Sequence, residues 1–402
     1  MHIAILAPSD RSFTSKHLPD TDFAELPEGS STAPFIGIII DELLKRGHTV
    51  TAITTSKAIR NNYSTQEFKH KKFTWIVVPF RPHSFRMNGT HKGRILDLYG
   101  LEQNMMLKHL KTTKPDIVHA HWSYEFAGAA VKSGFPCLVT IHDDAVKVLY
   151  FFKNLYRLGR LIMSEAILKK TRFASTVSPY MMPYALKRVK NTRLIANPVV
   201  ISEEFETIET LIQVKVNQLL NAKIVMINNG WDNRKNGIKG LMAFKELQNK
   251  YPNITLHLFG NGSENNGAAY TDVEKLEVQN VHFYGAVDHS FLMKTLMDTH
   301  LLLHTSLEES FGVVLIEAMS FGIPVIGGNS SGAVPWVVNN ENLLVDVRNS
   351  HEIALKMEDL LVNSERYKDY AKSGYTNAAS RFSVNSVVND YQAYYEEIVA
   401  QW

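Results

Sequence analysis

The residues best suited to chemistry lie in one short segment, residues 308–319, where an acidic and polar start leads into an apolar stretch of helical period. A helix that begins here would direct free N–H groups and the positive end of its dipole at an anion such as phosphate, with Ser310 as the N-cap and Gly312 allowing close approach. Glu317 would lie within the apolar helix, where a buried carboxylate needs a partner, and sugar hydroxyls are suitable donors. The alternative is that Glu309 is a solvated first-turn acid and Glu317 forms a structural ion pair.

Histidines at the ends of two apolar runs form a second group of candidates. His119 and His121 are separated by one alanine, which predicts that both imidazoles lie on one face of a strand. This spacing is compatible with zinc, but no cysteine or third histidine is near in sequence. His142 precedes Asp143 and Asp144, and one histidine beside two adjacent acids has poor ligand geometry. We therefore interpret the two aspartates as loop caps and predict no metal site.

Short apolar runs that alternate with segments of helical period must position these residues. The alternation predicts repeated βαβ units and a parallel sheet. In the first half, the predicted strands are residues 2–7, 49–54, 73–80, 116–122, 137–142, 174–178 and 193–199, with a helix at 35–46. After Asn197 and Pro198 the pattern restarts, with predicted strands at residues 223–229, 254–260, 281–285, 301–306, 324–327 and 343–346. The chain therefore reads as two doubly wound, Rossmann-like α/β domains followed by helices.

These elements define the predicted domains. Residues 1–200 form the first domain, residues 201–383 form the second, and residues 384–402 form a helix that packs back across the domains. Ligands of doubly wound folds bind at the carboxyl ends of the strands, so we expect the site in a crevice between the domains. No Gly-x-Gly-x-x-Gly follows the first strand, which argues against a dinucleotide-dependent dehydrogenase.

The composition is that of a globular protein from a reducing compartment. Of the 402 residues, 45% are hydrophobic and 21% are charged, and the single cysteine, Cys137, can form no intrachain disulfide. The N-terminus lacks the features of a signal peptide, and the longest uncharged stretch, residues 318–340, contains glycines and prolines that a membrane-spanning helix does not tolerate. We predict a cytoplasmic protein without a transmembrane helix.

The net charge of +3 conceals a strong asymmetry. Residues 1–200 hold 28 Lys/Arg and 15 Asp/Glu, a net charge of +13, whereas residues 201–402 hold 15 and 25, a net charge of −10. A basic half predicts an anionic partner, and an uneven solvated surface is the alternative. In residues 149–162, aromatic and aliphatic side chains combine with Lys/Arg at helical spacing, which is typical of a segment in a membrane interface. The sequence therefore predicts peripheral membrane association of the first domain, against the alternative of an ordinary domain-closing helix.

The segment around Glu309 and Glu317 resembles the donor-binding signature of retaining glycosyltransferases of family 4. The resemblance rests on the spacing of the two glutamates and on residues 304–306 and 319–326 beside them. Further matching pieces run along nearly the whole chain, at residues 45–50, 115–121, 177–178, 258–262 and 281–285. The family has the GT-B fold, with two Rossmann-like domains facing each other across a cleft and a C-terminal helix packing back. Many of its members act in bacterial surface polysaccharide synthesis.

The resemblance implies that the second domain binds the donor and the first binds the acceptor. In the family, the first glutamate contacts the donor sugar and the second holds the nucleotide ribose, so Glu309 and Glu317 inherit these roles. Main-chain N–H groups for the donor would come from Ser310, Phe311, Gly312 and Val313.

A cationic pair usually clamps the donor diphosphate in this family. Lys235 matches the family lysine, and Lys239 is a rival for that place. The usual Gly-Arg is replaced here by Asn229 and Gly230, so Arg234 is the expected substitute for the missing arginine. An exposed basic turn is the alternative interpretation of this stretch.

The first domain supplies the remaining expected site residues. His142 matches a family histidine that faces the transferred sugar, so it completes the expected catalytic set with Lys235 and Glu309. His121 is expected near the acceptor. Ser31, which stands where many family members have a glycine, is the other expected acceptor-binding residue.

The implied reaction transfers a sugar from a UDP- or GDP-sugar to a saccharide, with retention of anomeric configuration. No metal and no other cofactor is expected, because Lys235, Arg234 and the helix start can stabilise the leaving diphosphate. Residues 20–22, Asp-Thr-Asp, resemble the metal motif of the other glycosyltransferase architecture, GT-A, but lie in a long polar loop and are interpreted as solvated. The expected acceptor is lipid-linked or a polysaccharide intermediate, at the inner face of the cytoplasmic membrane.

Other functions stay open at this stage. One is a transferase with a soluble small acceptor, or a nucleotide-sugar epimerase, on the same fold. Another is a non-catalytic protein that binds carbohydrate or nucleic acid. The aromatic residues form no base-stacking platform and a binder would not require Glu317 in an apolar helix, so no nucleic-acid partner is predicted.

Overall fold

The computed structural model describes residues 1–30, 33–59, 64–201 and 204–402. The chain forms two compact units, of which unit 1 comprises Met1–Pro198 and Val384–Trp402, and unit 2 comprises Val199–Ser383. Each unit contains one sheet of mainly parallel strands with helices between them, as the alternating sequence pattern predicts.

The sheet of unit 1 has eight strands among the described residues, in the order β3-β4-β2-β1-β5-β6-β7-β8. The strands are β1 His2–Leu6, β2 Thr49–Ser56, β3 Gln66–His70, β4 Phe73–Pro79, β5 Ile117–His121, β6 Cys137–Ile141, β7 Phe173–Thr176 and β8 Asn191–Leu194. The helices are α1 Arg11–Thr14, α2 Pro34–Lys45, α3 Gly100–Thr113, α4 Glu125–Ser133, α5 Ala145–Phe152, α6 Leu155–Leu168 and α7 Met182–Leu186, with α16 Val384–Gln401 from the end of the chain. Only β3 runs antiparallel to its neighbour, β4, among these strands.

The sheet of unit 2 has six described strands, all parallel, in the order β11-β10-β9-β12-β13-β14. The strands are β9 Lys223–Ile227, β10 Thr255–Phe259, β11 Val281–Gly285, β12 Leu301–His304, β13 Val325–Gly328 and β14 Leu344–Val345. The helices are α8 Phe205–Val216, α9 Gly237–Gln248, α10 Ala268–Leu276, α11 His289–Met297, α12 Val313–Ser320, α13 Val334–Val338, α14 Ser350–Val362 and α15 Ser364–Phe382.

The strand order places a switch point in each sheet. In unit 1, β1 pairs with β2 on one side and with β5 on the other. In unit 2, β9 pairs with both β10 and β12. Loops that leave such neighbouring strands at their carboxyl ends diverge and open a crevice, which is where ligands of this type of sheet bind. The residues after β5, β9 and β12 are therefore well placed to bind a ligand, and those after β6 follow the strand that pairs with β5.

The final helix, α16, packs against α2 and β6 in unit 1. Its buried face carries three tyrosines, Tyr391, Tyr394 and Tyr395. At the end of α2, Arg46 donates hydrogen bonds to the Asn385 carbonyl and to side chains of α16. The helix thus adds a large aromatic surface to the core of unit 1, with polar contacts at its rim.

The structure corrects three local predictions. The strand expected at residues 193–199 ends at Leu194 and begins earlier, since the segment that follows leads into Pro198, which cannot donate to a ladder. Strand β3 was not predicted, because an exposed edge strand of mostly polar residues carries no apolar run. Residues 149–162 form parts of two helices, since Lys153 has a positive φ of 43° and Asn154 caps α6.

Candidate active site

In unit 2, the loop after β9 is held against the loop after β12 by hydrogen bonds to its backbone carbonyls. The side chain of Asp232 accepts from the N–H groups of Arg234 and Lys235, which folds this stretch into a tight turn. Thr305 donates its hydroxyl to the Lys235 carbonyl, and the Leu307 N–H donates to the Arg234 carbonyl. Both cations are therefore fixed at their backbone beside the residues that follow β12.

The central contact of this site is an ion pair between Lys235 and Glu309. Lys235 Nζ lies 3.1 Å from Glu309 Oε2, and both side chains are largely removed from solvent. Burial would raise the pKa of Glu309, but Lys235, His304 and Arg234 outweigh it and lower that pKa to about 2. His304 lies 3.8 Å from the same carboxylate oxygen, and burial lowers its pKa to about 4, so it is neutral at pH 7. Arg234 lies beside this pair, with Nη1 3.2 Å from the Glu308 carbonyl, so two cations flank the ionised Glu309.

The helix start expected in this segment is present, with a different cap. Helix α12 begins at Val313 and Gly312 is its N-cap, so the prediction that Ser310 caps the helix is wrong. Gly312 has a φ of 86°, and a Cβ on this residue would lie 2.8 Å from Leu315 Cδ1. A glycine is needed here both for its backbone angle and for space. Phe311 is buried against Phe382 and anchors the turn, while Ser310 is half-buried beside it.

Glu317, on α12, has a protein partner. His289 Nε2 lies 2.7 Å from Glu317 Oε1, and the carboxylate is buried. Burial lowers the pKa of His289, but the hydrogen bond and charge of Glu317 raise it more, so the pKa of His289 lies above its ordinary value of 6.5. This contact is the structural ion pair that the sequence offered as the alternative role for Glu317. If Glu317 also binds a ribose, it must do so while paired with His289.

In unit 1, the candidate histidines form a buried row. His121 Nδ1 lies 2.9 Å from His142 Nε2, and the rings of His119 and His121 are 4.1 Å apart, which confirms that the pair shares one face of β5. Burial lowers the pKa of His142 to about 3, so this ring is neutral at pH 7. Ser31, the other expected acceptor residue, lies outside the described residues.

A cavity of about 550 Å³ opens at the carboxyl ends of the strands of unit 1. Trp122 and Phe80 supply aromatic walls, and Asp143 and Arg157 supply charged groups. Trp122 has a φ of 63° and its ring lies 4.4 Å from that of His142, so the cavity adjoins the histidine row. Such a backbone angle is uncommon for a bulky residue and is found mainly at constrained functional sites.

The two aspartates after His142 have different contacts. Asp144 caps α5 by accepting from the N–H groups of Val146 and Lys147, as expected. Asp143 is not a cap, because it accepts from the Tyr124 hydroxyl and lines the cavity. Within the described residues, no group of three or more His, Cys, Asp or Glu side chains is arranged to hold a metal ion.

Two family models match the chain in succession. The model described as Glycosyltransferase Family 4 covers residues 36–203, and the model described as Glycosyl transferases group 1 covers residues 212–377. The chain belongs to glycosyltransferase family 4. Its two parallel-sheet, Rossmann-like units and its C-terminal helix are those of the GT-B architecture, which confirms the predicted fold class.

Relatives of this glycosyltransferase include proteins of polysaccharide synthesis. An uncharacterized 41.2 kDa protein from the cps region of Klebsiella pneumoniae is 27% identical over 313 residues, which cover 72% of this chain and 82% of that protein. The N-acetyl-alpha-D-glucosaminyl L-malate synthase of Bacillus anthracis is 22% identical, covering 89% of this chain and 91% of that one. The capsular polysaccharide biosynthesis glycosyltransferase CapM of Staphylococcus aureus is 25% identical, covering 50% and 53%.

Solved structures share the fold along the whole chain. Sucrose-phosphate synthase from Thermosynechococcus elongatus superimposes with a TM-score of 0.73 at 19% identity, covering 100% of both chains. The HepE protein of Anabaena, in complex with UDP-glucose, gives a TM-score of 0.67 at 15% identity, covering 99% of this chain and 100% of that one.

Three residues of these sites in the glycosyltransferase have no role assigned by sequence reasoning. His304 directly precedes the loop that carries Glu309, and its place at a strand end was the available signal. His289 is 28 residues from its partner Glu317, so no local pattern could reveal the pair. The positive φ of Trp122 likewise has no sequence signature, because residue type alone favours a negative φ.

We expect Lys235→Ala and Glu309→Ala each to lower the free energy of unfolding by about 2 kcal/mol, because either change leaves a partly buried charge unpaired. The double variant should lose clearly less than the sum of the two single losses. Urea unfolding of all four proteins measures this coupling, with Lys275→Ala, at an exposed lysine on α10 of the same unit, as the control. Strictly additive losses would show that the two charges do not interact.

The His289–Glu317 pair should make stability depend on pH. A raised histidine pKa contributes stability that is fully present below the unfolded-state pKa of 6.5 and is lost as pH rises through the folded-state pKa. The difference in free energy of unfolding between the natural protein and His289→Gln should therefore be larger at about pH 6 than at about pH 9. A difference that stays constant between these pH values would contradict the pair.

Proposed function

We propose that this protein is a retaining, metal-independent glycosyltransferase that moves a sugar from a UDP- or GDP-sugar to a saccharide acceptor. The observation that carries the proposal is the Lys235–Glu309 pair, held 3.1 Å apart beside the start of α12. It combines an ionised carboxylate for sugar hydroxyls with cations for a diphosphate. The likeness to the HepE protein, whose structure contains UDP-glucose, supports a nucleotide sugar as the donor.

Unit 2 is proposed as the donor-binding unit. Lys235 and Arg234 bind the diphosphate, and the first N–H groups of α12, from Gly312 and Val313 onward, add the positive end of a helix dipole. Glu309 accepts hydrogen bonds from the transferred sugar, since its low pKa keeps it ionised at every physiological pH. Glu317 holds the ribose through Oε2, the carboxylate oxygen for which His289 is not the partner, and Ser310 and Phe311 present their main chain to the donor.

The proposed chemistry needs charge stabilisation rather than a covalent intermediate. The bond between the anomeric carbon and the phosphate oxygen breaks, and the acceptor oxygen bonds to the same face of that carbon. The acceptor hydroxyl gives its proton to the departing phosphate oxygen, so no protein base is consumed. Lys235 and Arg234 stabilise the charge that develops on the diphosphate, which is the term that commonly contributes most to catalysis.

Unit 1 is proposed as the acceptor-binding unit. Its cavity of about 550 Å³ offers the aromatic ring of Trp122 to a sugar face, and Asp143 and Arg157 to hydroxyl or anionic groups. His142 adjoins this cavity through Trp122 and faces the transferred sugar, and His121 lies directly behind it. A saccharide is the class of ligand that such a mixture of aromatic and hydrogen-bonding groups fits.

We propose a lipid-linked acceptor, used on the inner face of the cytoplasmic membrane in polysaccharide or lipopolysaccharide synthesis. Helices α5 and α6 carry an apolar ridge of exposed side chains. Its members are Tyr150, Phe152, Leu155, Leu158 and Ile162, of which Leu155 is 72% exposed and Ile162 is 54% exposed. Lys153 and Arg157 lie over the aromatic rings of the ridge. Apolar side chains flanked by cations suit the surface of an anionic bilayer, where each cation contributes about 1 kcal/mol.

Peripheral contact is the form of membrane binding that this surface provides. Across the described residues, none of the helices is both long enough and apolar enough to cross a bilayer.

A second candidate function is transfer to a small soluble acceptor. The Bacillus anthracis relative favours that possibility, because its name, N-acetyl-alpha-D-glucosaminyl L-malate synthase, contains the small molecule L-malate.

The donor is tested by nucleotide release from UDP-, GDP- and ADP-sugars in EDTA, with a lipid-linked saccharide extract or soluble acceptors added separately. We expect release from one donor class, reduced about 100-fold in Lys235→Ala and in Glu309→Ala because each loses a group that acts on the developing charge. Lys275→Ala, at an exposed lysine on α10, should retain activity. Unchanged rates in both site variants would overturn the site, and release that requires an added divalent cation would overturn metal independence.

The ridge is tested by flotation with anionic liposomes at low salt. Leu155→Glu and Ile162→Glu should each reduce the bound fraction severalfold, because a carboxylate is repelled by the lipid surface and loses the apolar contact. Val362→Glu, which changes an equally exposed apolar residue in unit 2, is the matched control and should float like the natural protein. Equal flotation of all four proteins, or none, would contradict membrane binding by this ridge.

A further inference from the structure

The histidine row of unit 1 contains one ring nitrogen without a partner. His121 Nε2 is buried and has no hydrogen-bond partner among the described residues. Its other nitrogen, Nδ1, lies 2.9 Å from His142 Nε2, and the two rings are stacked at 25°. His121 is completely shielded from solvent, so water does not supply the missing contact.

This geometry distinguishes the two tautomers that the histidine pair could adopt. If His142 donated from Nε2, then His121 would carry its proton on Nε2 and bury an N–H group without an acceptor. If His121 donates from Nδ1, its bare Nε2 buries only an unused lone pair. Buried N–H groups without a partner are rarer than under-used acceptors, so the second arrangement is favoured. Both rings are neutral at pH 7, because burial lowers the pKa of His121 and of His142 far below its ordinary value.

The neighbouring ring of His119 holds the ring of His121 in place. His119 packs 4.1 Å from it and is itself bonded at both nitrogens, with Nδ1 2.6 Å from the Tyr395 hydroxyl and Nε2 2.7 Å from Thr140 Oγ1. Thr140 continues the chain to Ser175 Oγ at 2.7 Å. The support therefore runs across three strands and ends on α16, which leaves His121 little freedom to rotate.

We propose that His121 is a positioning residue that donates to His142 Nε2 and thereby fixes His142 as the tautomer with its proton on Nδ1. The inference rests on the proposed function in one respect, the assignment of His142 to the transferred sugar. In this tautomer His142 offers an N–H group to an oxygen of the sugar and does not act as a base. A neutral donor fixed in this way holds the sugar in one orientation for transfer, and no proton leaves the ring.

The tautomer is measured directly by long-range proton–nitrogen NMR of the full chain labelled at histidine nitrogen, with His142→Gln used for assignment. We expect His142 to show a bare Nε2 and a protonated Nδ1 at neutral pH. His121→Asn keeps an N–H donor near the position of Nδ1, so it should preserve this signature. His121→Phe keeps a ring but no donor, and the two tautomers of His142 should then exchange. A protonated Nε2 in the natural protein would overturn the proposal, and this arm needs no substrate.

Kinetics of the same variants separate positioning from structural support. We expect His121→Phe to lower kcat about 10- to 100-fold, the range typical for loss of a group that orients a functional histidine, with little change in KM for the donor. His121→Asn should recover most of the loss. A structural role predicts the reverse order, because a small polar amide fits a buried ring site worse than phenylalanine does. Equal losses in both variants, or a loss confined to KM, would overturn the proposal.

His109→Asn on α3, outside the histidine row, is the control and should match the natural enzyme. If the natural protein releases no nucleotide from any donor, the proposed function fails while the NMR result still decides the tautomer. The two failures are therefore distinguishable.

Discussion

The pair of Lys235 and Glu309 is the interaction on which the arrangement of the loops after β9 and β12 depends. Each charge comes from a loop that leaves one of two neighbouring strands, β9 and β12, and neither would be tolerated alone at this degree of burial. Hydrogen bonds from the Thr305 hydroxyl and the Leu307 N–H to carbonyls of the Lys235 loop hold the two loops at the distance that the pair requires. Arg234 adds a second cation beside Glu309, and two cations on one loop are suited to the charge of a diphosphate.

The fold was largely predictable because its signal repeats. Strands buried on both faces, such as β1 and β6, form short apolar runs, and helices between them carry the 3.6-residue period, so alternation alone predicts doubly wound sheets. The exceptions have physical causes. Strand β3 lies at an edge and needs no apolar residues, and the break between α5 and α6 depends on one left-handed residue, Lys153, whose type does not encode it.

The candidate site was predictable only where function depends on residue type and spacing. Glu309 and Lys235 could be found because both belong to local patterns that a family signature covers. Their contact could not, since 74 residues separate them and only the strand order brings them together. The N-cap was misassigned to Ser310 because serine is the commoner cap, whereas the crowding around Leu315 and the positive φ select Gly312. Tertiary packing, rather than local preference, decided each of these cases.

The two units compensate in opposite ways for the free-energy cost of burying polar groups. Unit 2 keeps Glu309 and Lys235 charged and pairs them, so its site presents a fixed field to a charged ligand. Unit 1 keeps His119 and His142 neutral, as their lowered pKa values of about 3 require, and satisfies His119 with hydroxyl groups from Thr140 and Tyr395. A neutral row of this kind cannot attract an anion, but it can hold an N–H donor in one orientation. In the function that we propose, charge stabilisation falls to the ion-pair loops of unit 2, and orientation falls to the histidine row of unit 1, which Tyr395 of the C-terminal helix supports.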